Sequence, residues 1–128
     1  MSEFIFGPFQ TKLLESLEQH PERQMTEYLG LMKDDGTYQA CCLGEYGLIC
    51  GVCTWAADGI LRDRDGSNKL LNGSYRELGL NSPGGKTKTT DKFSYKDGLS
   101  ILNDSGRTWP EIAAIIRANP EGYFTKSV

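Results

Sequence analysis

Apolar residues recur along this chain at two different spacings, and the switches between them predict its elements. From Pro8 to His20, Leu13, Leu14 and Leu17 fall among Lys12, Glu15 and Glu18 at the three-to-four spacing of an amphipathic helix. His20-Pro21 ends that pattern, because proline disfavours helix in the residue before it. From Met25 to Met32 and again from Thr37 to Cys41 the pattern shortens around Asp34-Asp35-Gly36, which predicts a β-hairpin with the glycine at a positive φ. Cys42 to Ala57 is a run of small and apolar residues that fits a buried helix and a third strand equally, since periodicity does not separate them in so short a stretch.

Further on, turn formers dominate. Ile60 to Leu71 encloses Asp63-Arg64-Asp65-Gly66-Ser67-Asn68 and predicts a second exposed hairpin or a long loop, followed by one short helical turn from Ser74 to Leu78 before Gly79. Asn81 to Asp91 has almost no apolar content and a Pro-Gly-Gly centre, the composition of an exposed, mobile loop. Ser94-x-x-Asp97 can cap a helix carrying Leu99, Ile101 and Leu102 that stops at Gly106. Thr108-Trp109-Pro110-Glu111 is a capping box, and the helix it opens buries Ile112, Ile115 and Ile116 before closing at Asn119-Pro120. The fold class this implies is α+β: an N-terminal helix, a small antiparallel sheet of hairpins and a C-terminal pair of helices, in one domain spanning residues 1–128.

Composition narrows the chemistry without naming it. Lys and Arg number 14 against 17 Asp and Glu, a net charge of −3 that suggests neither a polybasic nucleic-acid surface nor an acidic DNA mimic. No apolar run reaches bilayer length, and MSEFIFGPFQ lacks the basic start and long apolar stretch of a signal peptide, so a cytosolic location is expected. Cys41, Cys42, Cys50 and Cys53 lie close together, which leaves packing, metal or redox roles open. Cys50-x-x-Cys53 has the form of half a zinc site, but adjacent cysteines supply the other half poorly, and no metal or cofactor is implied. Gly84-Gly85-Lys86-Thr87 lacks the earlier glycine of a phosphate-binding loop, because position 80 is leucine. His20 is the single histidine and has no evident nucleophile partner, so no catalytic constellation is visible.

Three blocks carry a resemblance. Tyr38-x-x-Cys41-Cys42-Leu43-Gly44, Glu77-Leu78-Gly79-Leu80-Asn81 and Leu102-Asn103-Asp104-Ser105-Gly106-x-Thr108-Trp109-x-Glu111-Ile112-Ala113 resemble, in that order, a family of small tailed-bacteriophage accessory proteins without an agreed activity. The resemblance runs over residues 11–118, and it breaks after Gly44, where Glu45 to Val52 read as extra residues. It implies a protein of the bacterial host cytoplasm that counters antiviral defence by binding. One expected target is a nucleotide-derived immune signal of cyclic or ADP-ribose type. Lys86, Lys88, Gly85, Arg62 and Arg64 would then meet phosphates, Tyr46 or Trp55 would stack on a base, and Asn103 and Asp104 either satisfy their own turn or touch the ligand. The alternative is an inhibitor or adaptor for a host or phage protein. A small nucleic-acid-binding protein is a further option, because Gly106 to Ala113 resembles the opening of a helix-turn-helix unit. A homo-oligomer is expected in the sponge reading, since a subunit interface can supply a pocket that one short chain lacks.

Overall fold

The computed structural model describes residues 4–26, 28–67, 72–81 and 98–128. Helix α1 (Pro8–Gln19) forms where the leucine spacing predicts it, and Leu13, Leu14 and Leu17 are buried on one face together with Gln10. Each fully buried leucine contributes about 1.5–3 kcal/mol relative to exposure. The first turn of α1 is closed by distant chain as well as by its own. Gln10 Oε1 accepts from Gly7 N at 2.9 Å, and Gln10 Nε2 donates to the Lys126 carbonyl at 2.9 Å. Val128 O accepts from the main-chain N–H groups of Phe9 and Gln10.

After Pro21 a single 3-10 turn (Pro21–Arg23) leads to the first hairpin, β1 (Gly30–Met32) with β2 (Tyr38–Ala40), antiparallel with Leu31 opposite Gln39. Its turn is closed by Asp35, whose carboxylate accepts from the Thr37 main-chain N–H and hydroxyl, and by Gly36 at φ 88°. The ambiguous stretch after it contains both predicted alternatives in succession: α2 (Cys42–Cys50), stopped by left-handed Gly51, and then β3 (Cys53–Trp55).

β4 (Leu61–Asp63) pairs back onto β3 with Thr54 opposite Arg62. The hairpin of β3 and β4 turns at Ala57-Asp58-Gly59, while residues 68–71 of the hairpin or long loop expected from Ile60 to Leu71 lie outside the described residues. The chain after β4 folds on Asp63, which is buried and accepts from the main-chain N–H groups of Asp65 and Ser67. A bridge between Leu31 and Ile60 joins the two hairpins.

α3 (Asn72–Glu77) ends before Gly79 at φ 73°. α4 (Leu99–Asp104) has Gly98 as its N-cap; Ser94 and Asp97 lie outside the described residues, as do residues 82–91 of the loop expected from Asn81 to Asp91. α5 (Trp109–Ala118) opens on the predicted capping box, with Thr108 Oγ1 accepting from Glu111 N at 3.3 Å and Glu111 Oε1 accepting from Thr108 N at 3.0 Å.

Beyond Asn119 the chain forms α6 (Pro120–Tyr123), where Gly122 and Tyr123 are buried, and Phe124 beyond it is buried too. α5 is not succeeded by a recognition helix among the described residues, because α6 is only four residues long and packs into the core. The architecture is α+β, with α1, α2 and α5 packed together and the two hairpins beside them. No helix among the described residues is long and apolar enough to cross a membrane.

The three sequence blocks meet inside this core. Asn103 is 1 % exposed, and its Oδ1 accepts from Cys42 N and from Trp109 Nε1, both at 3.1 Å, while its Nδ2 donates to the Met25 carbonyl at 2.6 Å. Gln24 backs this junction by accepting from Trp109 N and donating to the Arg107 carbonyl. Tyr46 Oη donates to the Leu78 carbonyl at 2.7 Å, which ties the middle block to α2. These residues hold elements together at positions that carry no free functional group.

Candidate functional site

Glu45 is the one charged residue between Cys41 and Ala57, and α2 carries it into the interior at 2 % exposure. A buried carboxylate needs partners, since desolvating an unpaired charge is prohibitive. It has two. Tyr38 Oη donates to Glu45 Oε1 at 2.6 Å, and Arg23 Nη1 donates to Oε2 at 3.3 Å. Glu45 also sits in the first turn of α2, where the helix dipole favours negative charge. The Arg23 guanidinium lies over the Tyr38 ring at 4.9 Å, and Trp55 tilts against that ring at 5.5 Å between centroids. Burial and the adjacent Glu45 carboxylate push the Tyr38 phenol well above its ordinary range.

Arg23 and Tyr38, with Trp55 behind the ring, form one wall of a cleft of about 550 Å3 lined by His20, Glu22, Arg23, Lys33 and the turn and strand residues 36–39. The 3-10 turn supplies one side of it and β2 the other. Ladder phase fixes what β2 presents. Lys33 N donates to Thr37 O and Cys41 N to Leu29 O, so residues 37, 39 and 41 face β1. Tyr38 and Ala40 then point their main-chain groups outward, and Ala40 O indeed accepts from Met25 N on that side. The outward N–H and C=O of Tyr38 stand on the side occupied by the 3-10 turn.

The residues nominated from sequence do not converge there. Tyr46 is fully buried, with its ring edge against Phe124, and cannot stack on a base without unfolding the core. Arg62 is held on the second hairpin by Asp58 at 2.8 Å and by the Gly66 carbonyl, and Arg64 pairs with Glu77 at 2.6 Å. Both are exposed ion pairs, and neither lines the cleft. Asn103 is the interior junction described above, 1 % exposed, and its amide is taken up by Cys42, Met25 and Trp109, with Gln24 and Asp104 at longer range. Asp104 is exposed beside it. Gly85, Lys86 and Lys88 lie outside the described residues. Trp55 alone touches the cleft wall, through Tyr38.

Sequence reading missed Glu45, Arg23 and Tyr38. A lone acid inside an apolar run is the visible signal, whereas its partners at positions 23 and 38 are brought to it only by the fold.

The cysteines are free thiols used for packing. Cys41 caps α2, its sulfur accepting from Gly44 N, and Cys53 sulfur lies against Gly47. No three His, Cys, Asp or Glu side chains converge as a metal cradle among the described residues. Burial pushes the thiol of Cys41 up to about 11 and those of Cys50 and Cys53 up to about 12, with Cys42 also raised. At pH 8 the native thiols are therefore expected to react with a disulfide reagent at least about a hundredfold more slowly than in guanidinium, where thiolate is a sizeable fraction. Rates within roughly tenfold of each other would show the thiols to be accessible. Because the folded-state values are raised, the neutral thiols contribute fully below pH 9.0, and that contribution is lost as pH climbs toward 11–12.

Comparison with protein-family models, characterised proteins and solved structures finds no match to this chain.

Proposed function

We propose that the chain is a non-catalytic binding protein whose ligand occupies the cleft between the 3-10 turn and β2. In the bacteriophage setting that its sequence blocks resemble, it counters host defence by sequestering a nucleotide-derived immune signal. The observation that carries this reading is the preformed stack of Arg23 on Tyr38 on Trp55, anchored from behind by buried Glu45 and opening on a cleft of about 550 Å3. That volume falls in the range of small-molecule sites, which combine an aromatic wall with a few convergent polar groups. A guanidinium edge suits phosphate oxygens, and the outward N–H and C=O of Tyr38 form a donor–acceptor pair that suits the edge of a base. A preformed site of this kind binds without the ordering cost that a mobile loop would add.

The test is a thermal-shift screen with cyclic nucleotides and ADP-ribose-type nucleotides, followed by recovery of the ligand from heat-denatured protein. Stabilisation by several degrees, abolished by Arg23→Ala, with the ligand returned unaltered, is the expected result. Ligand returned degraded would make the chain an enzyme. No stabilisation by any nucleotide would turn the reading to a protein partner.

A further inference from the structure

We infer that the cleft takes a ligand group with a single negative charge, a phosphodiester, in preference to a terminal phosphate, and that buried Glu45 sets this preference. The inference rests on the proposed ligand cleft and names the chemistry that the cleft selects.

The charged and titratable groups that face the cleft are His20, Glu22, Arg23 and Lys33, with Glu45 behind Arg23. Arg23 is already paired with Glu45 at 3.3 Å, and Glu22 Oε2 lies 3.2 Å from His20 Nδ1, a contact that cancels no charge with a neutral imidazole. Lys33 makes no ion pair among the described residues. The nearby Asp35 carboxylate feels Lys33, but it is turned to Thr37, whose main-chain N–H and hydroxyl it accepts. Lys33 is thus a cation without a paired anion among the described residues, while Glu22 and Glu45 are two acids against which a second ligand charge would be set.

Arg23 contributes geometry more than net charge. Its Nη1 is committed to Glu45, while Nε and Nη2 make no hydrogen bond among the described residues and remain as donors. Glu45 cannot relax away to release that charge, because it is 2 % exposed and also holds the Tyr38 phenol at 2.6 Å. A phosphodiester brings one negative charge and two oxygens that accept from the Arg23 edge and from Lys33. A phosphate monoester at pH 8 brings two, since its second proton is lost near about pH 6, and the second charge meets the field of Glu45 and Glu22 without a free cation to balance it.

The matched probes are 3′,5′-cyclic AMP and 5′-AMP, which share base and sugar and differ in phosphate charge. Titration calorimetry at pH 8 and low salt is expected to show at least about fivefold tighter binding of the cyclic diester. Glu45→Gln keeps an oxygen to accept from Tyr38 and removes the buried charge, so it is expected to raise 5′-AMP affinity about tenfold and narrow or reverse the preference.

Equal or tighter binding of 5′-AMP by the unsubstituted chain would overturn the inference and leave the ligand cleft standing, an outcome that does not depend on how the variant folds. A folded Glu45→Gln protein with the preference unchanged would remove Glu45 from the explanation. Failure of the unsubstituted chain to bind either probe would overturn the cleft reading itself, and the inference with it. A phosphodiester is also the repeating unit of nucleic acid, so a six-nucleotide oligodeoxyadenylate is the third probe. If it displaces cyclic AMP at equal phosphate concentration, the preference belongs to strand binding and the sequestration reading fails.

Discussion

Replacing Asn103 by alanine is expected to cost about 3–5 kcal/mol. One amide serves three separate segments. Without it, the Cys42 N–H at the start of α2, the Trp109 indole N–H and the Met25 carbonyl all lose a partner. Two of these bonds lie in the buried interior, where water does not readily replace the amide. Each such orphan costs about 1–3 kcal/mol, and the sum is a large share of the roughly 5–15 kcal/mol that a domain of this kind has in total. The midpoint should fall by roughly 10–20 °C. Asn103→Asp separates shape from hydrogen bonding: it keeps the acceptor for Cys42 and Trp109 but turns the donor facing Met25 O into a repelling oxygen. Thermal melts followed by circular dichroism decide the matter, and a loss below about 1 kcal/mol for the alanine variant would mean that the junction is not what joins α2, α4 and α5.

Gly44→Ala is the second large effect, and here two magnitudes compete. Alanine is favoured over glycine inside a helix by about 1 kcal/mol. Against this, a Cβ at position 44 would sit inside contact distance of the Leu29 main-chain oxygen, and that oxygen is already fixed by accepting from Cys41 N at 3.1 Å. Backbone on both sides leaves nothing flexible to give way. The overlap should cost about 3 kcal/mol or more, so the clash wins. Gly51→Ala is the useful comparison: it has open space but a left-handed φ of 75°, so only conformational strain of about 1 kcal/mol is expected. Denaturant midpoints should rank the parent chain first, Gly51→Ala next and Gly44→Ala far below. The reverse order would show that α2 can lift off the first hairpin without loss.

Neither the Asn103 junction nor the Gly44 contact is legible in the sequence, because each joins segments far apart in the chain. Local signals are legible. Leucine spacing in α1, the stop at His20-Pro21, Gly36 in the first turn and the capping box at Thr108 each depend on residues within one turn of one another. Pairing across the chain does not read in the same way. Nothing local marks that β4 pairs back onto β3, because both partners are three-residue strands with no alternation long enough to fix a register.

The site suffers most from this. Residue type alone nominates aromatic and cationic side chains, but Tyr46 and Trp55 have the same composition signal and opposite fates, one in the core and one half-exposed beside Tyr38. Arg62 and Arg64 find acids of their own at Asp58 and Glu77. Arg23 and Tyr38 meet only because a buried Glu45, 22 residues from the arginine, draws both to it.

The clasp between the chain's last residues and its first helix bears on the order in which the molecule can assemble. Gln10 and the N–H groups of the first turn of α1 find their partners at Lys126 and Val128, 116 positions away in the case of Gln10 and Lys126. A ribosome delivers α1 more than a hundred residues before those oxygens. Until residues 126–128 have emerged, the Gly7 N–H has the Gln10 side chain, but the N–H groups of Phe9 and Gln10 have only water to bond, and the leucine stripe waits for α5 as well. α1 is therefore not locked where it emerges: its opening turn closes only when residues 126–128 return to it.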